Sequence, residues 1–248
     1  MQAMNPTPVE ADPVPSDDPC AREEREAPRN LFERIKRQPS ALLLSAQLLS
    51  LLLYPLMDGT HSGRVLFGAV ALVVVPLAVW VVGRSPAANW IAWSLALPAL
   101  SLSVAALLLD RPELVIVSSV FEALLYFYAA ASLIRYMLND ECVSSDELFA
   151  AGATFTLLAW GFAYAYFVCQ GLYPESFLGS VDPQRPRSWM ELLFLSFTTL
   201  SGVGIGDILP ISAPARVLVM LEMMTGVGYL ATVVGRLISL SVLRAARR

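Results

Sequence analysis

The chain has 248 residues, 56% of them hydrophobic and only 15% charged, with a mean hydropathy of +0.59. Its net charge of −4 offers no basic surface for nucleic acid, and its single histidine, His61, lies in a short Asp/Gly/Ser loop, so no histidine chemistry is expected. Cys20, Cys142 and Cys169 are scattered without metal-ligand spacing and read as unpaired. With no nucleophile–base pair and no ligand set, the chain is not expected to be an enzyme or to carry a cofactor.

Residues 1–40 are polar, with prolines at 6, 8, 13, 15, 19, 28 and 39. Such a segment cannot bury a core and is expected to be a disordered tail. Arg29, Arg34, Lys36 and Arg37 stand just before the first apolar stretch and predict a cytoplasmic N-terminus. Four apolar stretches follow, Ala41–Met57, Val65–Val82, Asn89–Leu109 and Glu113–Leu138, each read as a membrane span. Their connections, Asp58–Arg64, Gly83–Ala88 and Asp110–Pro112, are short enough to set sequential helices antiparallel. Glu122 is the mid-span charge of this module; a functional role or packing in neutral form on a polar partner are both open for it.

The polar joint Asn139–Glu147 marks a boundary between a four-helix module, 41–140, and a second module, 141–248. The second module opens with a fifth span, Leu148–Gln170, and a loop, Gly171–Ser188, carrying Pro174, Pro183 and Pro186. A short helix is expected at about Ser188–Leu200, and a sixth span at Ala213–Leu240. Six spans leave both basic ends, the second marked by Arg236, Arg244, Arg247 and Arg248, on the cytoplasmic side. The fold class is therefore an all-α polytopic membrane protein in contact with the lipid bilayer, expected in the cell (inner or plasma) membrane.

Between the short helix and the sixth span runs Thr198-Thr199-Leu200-Ser201-Gly202-Val203-Gly204-Ile205-Gly206-Asp207. Glycine at every second position is a poor helix, each costing about 1 kcal/mol relative to alanine. Non-helical backbone at membrane depth survives only when buried in protein or facing water, so the run is expected to be re-entrant. Alternating glycines also free successive carbonyls to turn the same way, and converging carbonyls replace the hydration shell of a cation. The other reading, a phosphate loop of the G-x-G-x-x-G kind, requires a preceding strand in a soluble unit.

Thr199, Val203, Gly204, Gly206, Asp207 and Pro210 resemble the selectivity-filter signature of potassium channels, T-x-x-T-V-G-Y-G-D followed closely by proline. The resemblance covers roughly Leu148–Leu240. It implies a pore helix and filter between the fifth and sixth spans, a homotetramer, and K+ at the carbonyls of Gly202, Val203, Gly204 and Ile205. Six spans also resemble the plan of voltage-gated channels, but a sensor needs about three or four gating charges and the fourth span has Arg135 alone. A passive, potassium-selective channel is the expected function; a non-selective cation channel, or a non-conducting membrane subunit that keeps the pore fold, are the alternatives. Only eight residues follow Leu240, so no ligand-binding domain is expected.

Three departures bear on selectivity. Gly202 stands where the family has Thr, Ile205 where it has Tyr, and Asp207 faces Leu195 and Thr198 as candidate partners, the first unable to bond and the second weak. An apolar cuff of Phe194, Leu195, Phe197 and Ile205 is expected to hold the filter, less rigidly than a hydrogen-bonded one. Thr198, Thr199, Ser201 and Glu222 are the expected supports, with Glu222 bonding Ser196, Thr199 or Ser201. In the sixth span Gly226, 19 residues after Asp207, falls where the family has its hinge glycine, though close helix packing explains it equally. Val227, Leu230, Val234 and Ile238 follow helical spacing and are expected to line an apolar gate, or to make plain lipid or helix contact.

Overall fold

A computed structural model describes residues 38–53, 76–77, 89–109, 111–139, 145–183 and 185–246. Among the described residues, four helices precede the glycine run's own short helix: α1 (Pro39–Leu53), α2 (Asn89–Leu109), α3 (Pro112–Asn139) and α4 (Ser145–Leu172). Then come β1 (Phe177–Gly179), α5 (Trp189–Leu200), β2 (Ile208–Pro210) and α6 (Ala213–Tyr229). A π-helical turn, Leu230–Val234, joins α6 to α7 (Gly235–Ala246). The expected tail, apart from its last three residues, and all but two residues of the second expected span, Val65–Val82, lie outside the described residues.

The chain is a multi-pass helical bundle. Among the described residues three helices are long and apolar enough to cross a membrane: Glu113–Asn139, Asp146–Leu172 and Ala213–Ser239. At about 1.5 Å per residue, 27 residues span roughly 40 Å, more than the ~30 Å hydrocarbon layer. The first and third expected spans form apolar helices of shorter apolar extent, Pro39–Leu53 and Trp90–Ala106.

Local chemistry explains the helix ends. α3 starts with proline, whose missing N–H is an orphan there anyway, and carries Glu113 in its first turn. α4 opens with Asp146 and Glu147, favourable beside the positive end of the helix dipole. Asp146 also reaches α1: its Oδ1 accepts the Ser40 N–H at 3.2 Å and its Oδ2 the Ser40 hydroxyl at 2.9 Å. One carboxylate thus caps a second helix, and the N-terminal ends of α1 and α4 lie together.

α4 is the hub, packed on α1, α3, α5 and α6, while α2 packs on α3. Small residues let these backbones approach: Ala123, Ala129, Ala130, Ala153, Ala159 and Ala163 are all buried. Gly161 lies under the Phe127 ring, where an added Cβ would come to 3.0 Å. Leu125, Tyr126, Leu133, Leu157 and Trp160 fill the core between these small residues.

The loop after α4 is more ordered than its prolines suggest. β1 pairs antiparallel with β2, Phe177 opposite Pro210 and Gly179 opposite Ile208. The Ile211 N–H donates to Ser176 O at 2.8 Å and the Ser180 N–H to Asp207 O at 2.8 Å. This two-stranded ribbon escaped the sequence reading because three-residue strands carry no period to detect.

Candidate functional site: the short helix and its glycine run

α5 is a well-capped rod. The Ser188 hydroxyl accepts the Glu191 N–H at 3.3 Å while Glu191 Oε2 accepts the Ser188 N–H at 2.6 Å, a reciprocal capping box. Glu191 Oε1 pairs with Arg185 at 2.8 Å and lies 3.5 Å from Arg187. Burial pushes the Glu191 carboxyl up, but the Ser188 hydrogen bonds and the two guanidinium groups outweigh it and hold it below its ordinary range. Arg187, only 2% exposed, donates to backbone carbonyls of Val181, Asp182 and Arg185, and Gln170 Nε2 donates to its carbonyl at 2.9 Å. A Cβ on Gly179 would overlap this guanidinium, so a larger residue where the ribbon passes over it would have to displace the Arg187 head.

At its far end α5 runs directly into the glycine run. The N–H groups of Ser201, Gly202 and Gly204 bond back to the carbonyls of Phe197, Thr199 and Thr198 at 3.1, 3.0 and 2.9 Å. Gly202, Gly204 and Gly206 have φ of +76°, +56° and +78°. This conformation costs an L-residue roughly 1–2 kcal/mol. Val203 and Ile205, between them, are not in this region, so the backbone alternates hand residue by residue. The run is open: Val203 is 67% and Ile205 58% exposed.

Behind the run, a buried hydrogen-bond network joins three helices. Glu222 of α6 is fully buried. Its Oε2 accepts from the Tyr166 hydroxyl of α4, and its Oε1 pairs with the Ser196 hydroxyl of α5. Ser196 also donates to the carbonyl of Ala159, on α4, at 2.8 Å. Of the three hydroxyls anticipated for Glu222, Ser196 is therefore the partner. Ser201 donates instead to Thr198 O at 3.3 Å. Tyr166 was missed because nothing local links it to a carboxylate 56 positions away; the one available signal was that a buried Glu needs a donor on every oxygen.

Thr198, the weak candidate partner of Asp207, is engaged elsewhere. The Thr198 hydroxyl turns back to Leu195 O at 2.9 Å, as helix-interior threonines do. Asp207 Oδ1 is buried without a hydrogen-bond partner among the described residues, and the Asp207 main chain is tied to the ribbon at Ser180 instead. Of the four expected cuff residues, Leu195 is buried and Phe197 partly buried, while Phe194 and Ile205 stand exposed.

Along α6, Gly226 marks a close crossing. An added Cβ would overlap the Leu200 carbonyl oxygen and come within 2.9 Å of its carbon, whereas at Gly228 and Gly235 nothing among the described residues lies within 4 Å. The expected continuous sixth helix is interrupted by the π turn, which inserts an extra residue and rotates the helix beyond it. Val227, Leu230 and Ile238 are exposed, but Val234 turns aside and packs on the core. Tyr229 ties the end of α6 to α4 by donating to Ala151 O at 2.6 Å.

Residues 152–242 match the family described as "Ion channel". No curated protein and no solved structure matches the chain. The matched stretch takes in the greater part of α4, all of α5, the glycine run and α6. This part of a multi-pass membrane protein is thus similar to a pore-forming ion-channel domain, a family that is not catalytic.

Proposed function

We propose that four copies of the chain surround one axis and form a passive, potassium-selective pore. K+ is coordinated by the backbone carbonyls of Gly202, Val203, Gly204 and Ile205, with Asp207 at the outer mouth. The observation that carries this reading is the alternation of hand along the run, positive φ at Gly202, Gly204 and Gly206 only. In such a backbone successive carbonyls point to one side, and a ring of them from several chains replaces water around a cation. The negative C-terminal end of α5 adds to the attraction, and cyclic symmetry is the usual closure for identical subunits. The exposure of Val203 and Ile205 on a single chain fits surfaces that assembly covers.

In this reading both termini are cytoplasmic, six helices cross the membrane, and 41–140 and 141–248 are separate modules. Thr198, Thr199, Ser201 and Glu222 support the filter from behind. Gly226 and the residues Val227, Leu230, Val234 and Ile238 belong to the moving inner helix. A non-selective pore is the second reading, favoured by the absent hydroxyls at Gly202 and Ile205 and by the unpartnered Asp207 oxygen.

The test is cation flux into liposomes holding only this protein, in K+ against Na+ gradients, with Gly204→Ala as control. K+ flux well above Na+ flux, lost in the variant, is the expected result. Equal fluxes select the non-selective pore. Absence of flux at every voltage and pH refutes conduction and leaves a membrane subunit that keeps the pore fold.

A further inference from the structure

Four aromatic rings close on one another where the N-terminal helices meet the start of α5. Tyr126 of α3 stacks on Tyr164 of α4, centroids 5.6 Å apart and planes 17° from parallel. Tyr126 also meets Trp160 of α4 edge-on at 5.7 Å and 81°. Trp189, the first residue of α5, meets Trp160 edge-on at 5.7 Å and 87° and Tyr164 at 5.4 Å. Each ring touches two others in a closed cycle, so none tilts without moving its neighbours. Offset-stacked and edge-on pairs of this kind are directional as well as apolar contacts.

The cycle is anchored on one side by a carboxyl group. Glu122, one turn before Tyr126 on α3, is 6% exposed. It accepts from the Ser103 hydroxyl of α2 at 2.9 Å, and the Tyr164 side chain of α4 interacts with it. Three helices therefore meet at Glu122, and a displacement of α2 or α3 reaches Tyr164 directly.

On its other side the cycle grips a lever. α5 is a capped 12-residue rod, about 18 Å long. Trp189 is held at its start, and Ser196, near its middle, is held by Glu222 and Ala159 O. Its end carries the glycine run on the Thr198 and Thr199 carbonyls. With the middle pinned, motion at Trp189 is returned as motion of the run.

We propose that the helices preceding the pore domain govern it through this ring cycle, with Glu122 as the input and the tilt of α5 as the output. The effect on ion flow rests on the pore reading above; the mechanical coupling does not.

The test is a double-mutant cycle between Glu122→Leu and Trp189→Leu, two side chains linked through the rings. Hydrogen exchange is measured on the full chain in lipid nanodiscs, at residues 197–207. Glu122→Leu is expected to change exchange there about threefold or more, within the range of roughly 2- to 30-fold for coupling along packed networks. Trp189→Leu is expected to abolish that response. Additive effects, or a response confined to α2 and α3, overturn the proposal. Tyr164→Phe keeps every ring and removes only the tie to Glu122; it replaces Glu122→Leu if that variant does not fold, and the same criteria apply. Liposome flux on the same variants then reads the consequence. Coupled exchange in a protein that conducts nothing supports the lever and refutes the pore.

Discussion

Replacing Glu222 by glutamine should leave the pore domain intact, and replacing it by alanine should not. A serine hydroxyl has one hydrogen, and a carbonyl oxygen can only accept. Ser196 lies 2.8 Å from Ala159 O and also contacts Glu222 Oε1. If its hydrogen serves the carbonyl, the contact with Glu222 needs a hydrogen from the Glu222 side, while Oε2 accepts from Tyr166. A carboxylic acid meets both demands, and so does an amide, with its oxygen toward Tyr166 and its NH2 toward Ser196. Alanine removes four heavy atoms from a fully buried site and leaves the Tyr166 hydroxyl without an acceptor. An orphaned buried hydroxyl costs about 1–3 kcal/mol, and large-to-alanine truncation about 2–5 kcal/mol. A combined loss of about 3 kcal/mol lowers the melting temperature by roughly 6–12 °C in a chain of this size. Thermal unfolding in detergent, followed by near-ultraviolet circular dichroism, reads it. Equal damage from glutamine and alanine would refute the donor count and require an ionised Glu222.

The glycines of α6 and α7 should separate sharply. Gly226→Ala collides with the Leu200 backbone, which cannot rotate away, and should lower stability by about 1–3 kcal/mol. Gly235→Ala meets nothing within 4 Å and should raise stability by about 0.5–1 kcal/mol; melting temperatures of the two variants check the sign. Because the folded-state value of Glu191 is lowered, its contribution is fully present above its ordinary value of 4.5 and is lost as pH falls through the folded value. Melting temperature should therefore drop on acidification below about pH 4.5, less steeply in Glu191→Gln. Ile205→Tyr should raise K+ over Na+ discrimination and lengthen openings in single-channel records; unchanged selectivity and open time would show that the apolar side chain does not loosen the run.

Long-period features were legible in the sequence because hydrophobicity alone sets them. The third and fourth expected spans match α2 and α3 to within one residue, and the fifth lies within α4. Ser188, chosen as the start of the short helix, is its N-cap, since the Ser-x-x-Glu pattern is a local device. The positive φ at the three glycines was equally local, a consequence of having no Cβ.

What stayed hidden depended on distant partners. Thr198 was weighed as a partner for Asp207, yet its hydroxyl takes the nearer Leu195 carbonyl. Val234 sat on one face with Val227 and Ile238 by α-helical counting, and the π turn rotated it onto the core. Glu122 and Glu222 were both visible as intramembrane carboxyls. Ser196 stood among the three hydroxyls expected for Glu222, but Tyr166, its other partner, and Ser103 and Tyr164 beside Glu122 were not visible.

By itself, then, the sequence determined the long apolar helices among the described residues and permitted the positive φ of the three glycines, because apolar length and the lack of a Cβ act within a few residues of the chain. Only the tertiary structure decided which hydroxyls serve the buried carboxyls, which glycine is a contact, and that Trp189 closes a ring cycle with the preceding helices. Each of those depends on groups brought within a few ångströms by packing, a separation that no spacing along the chain encodes.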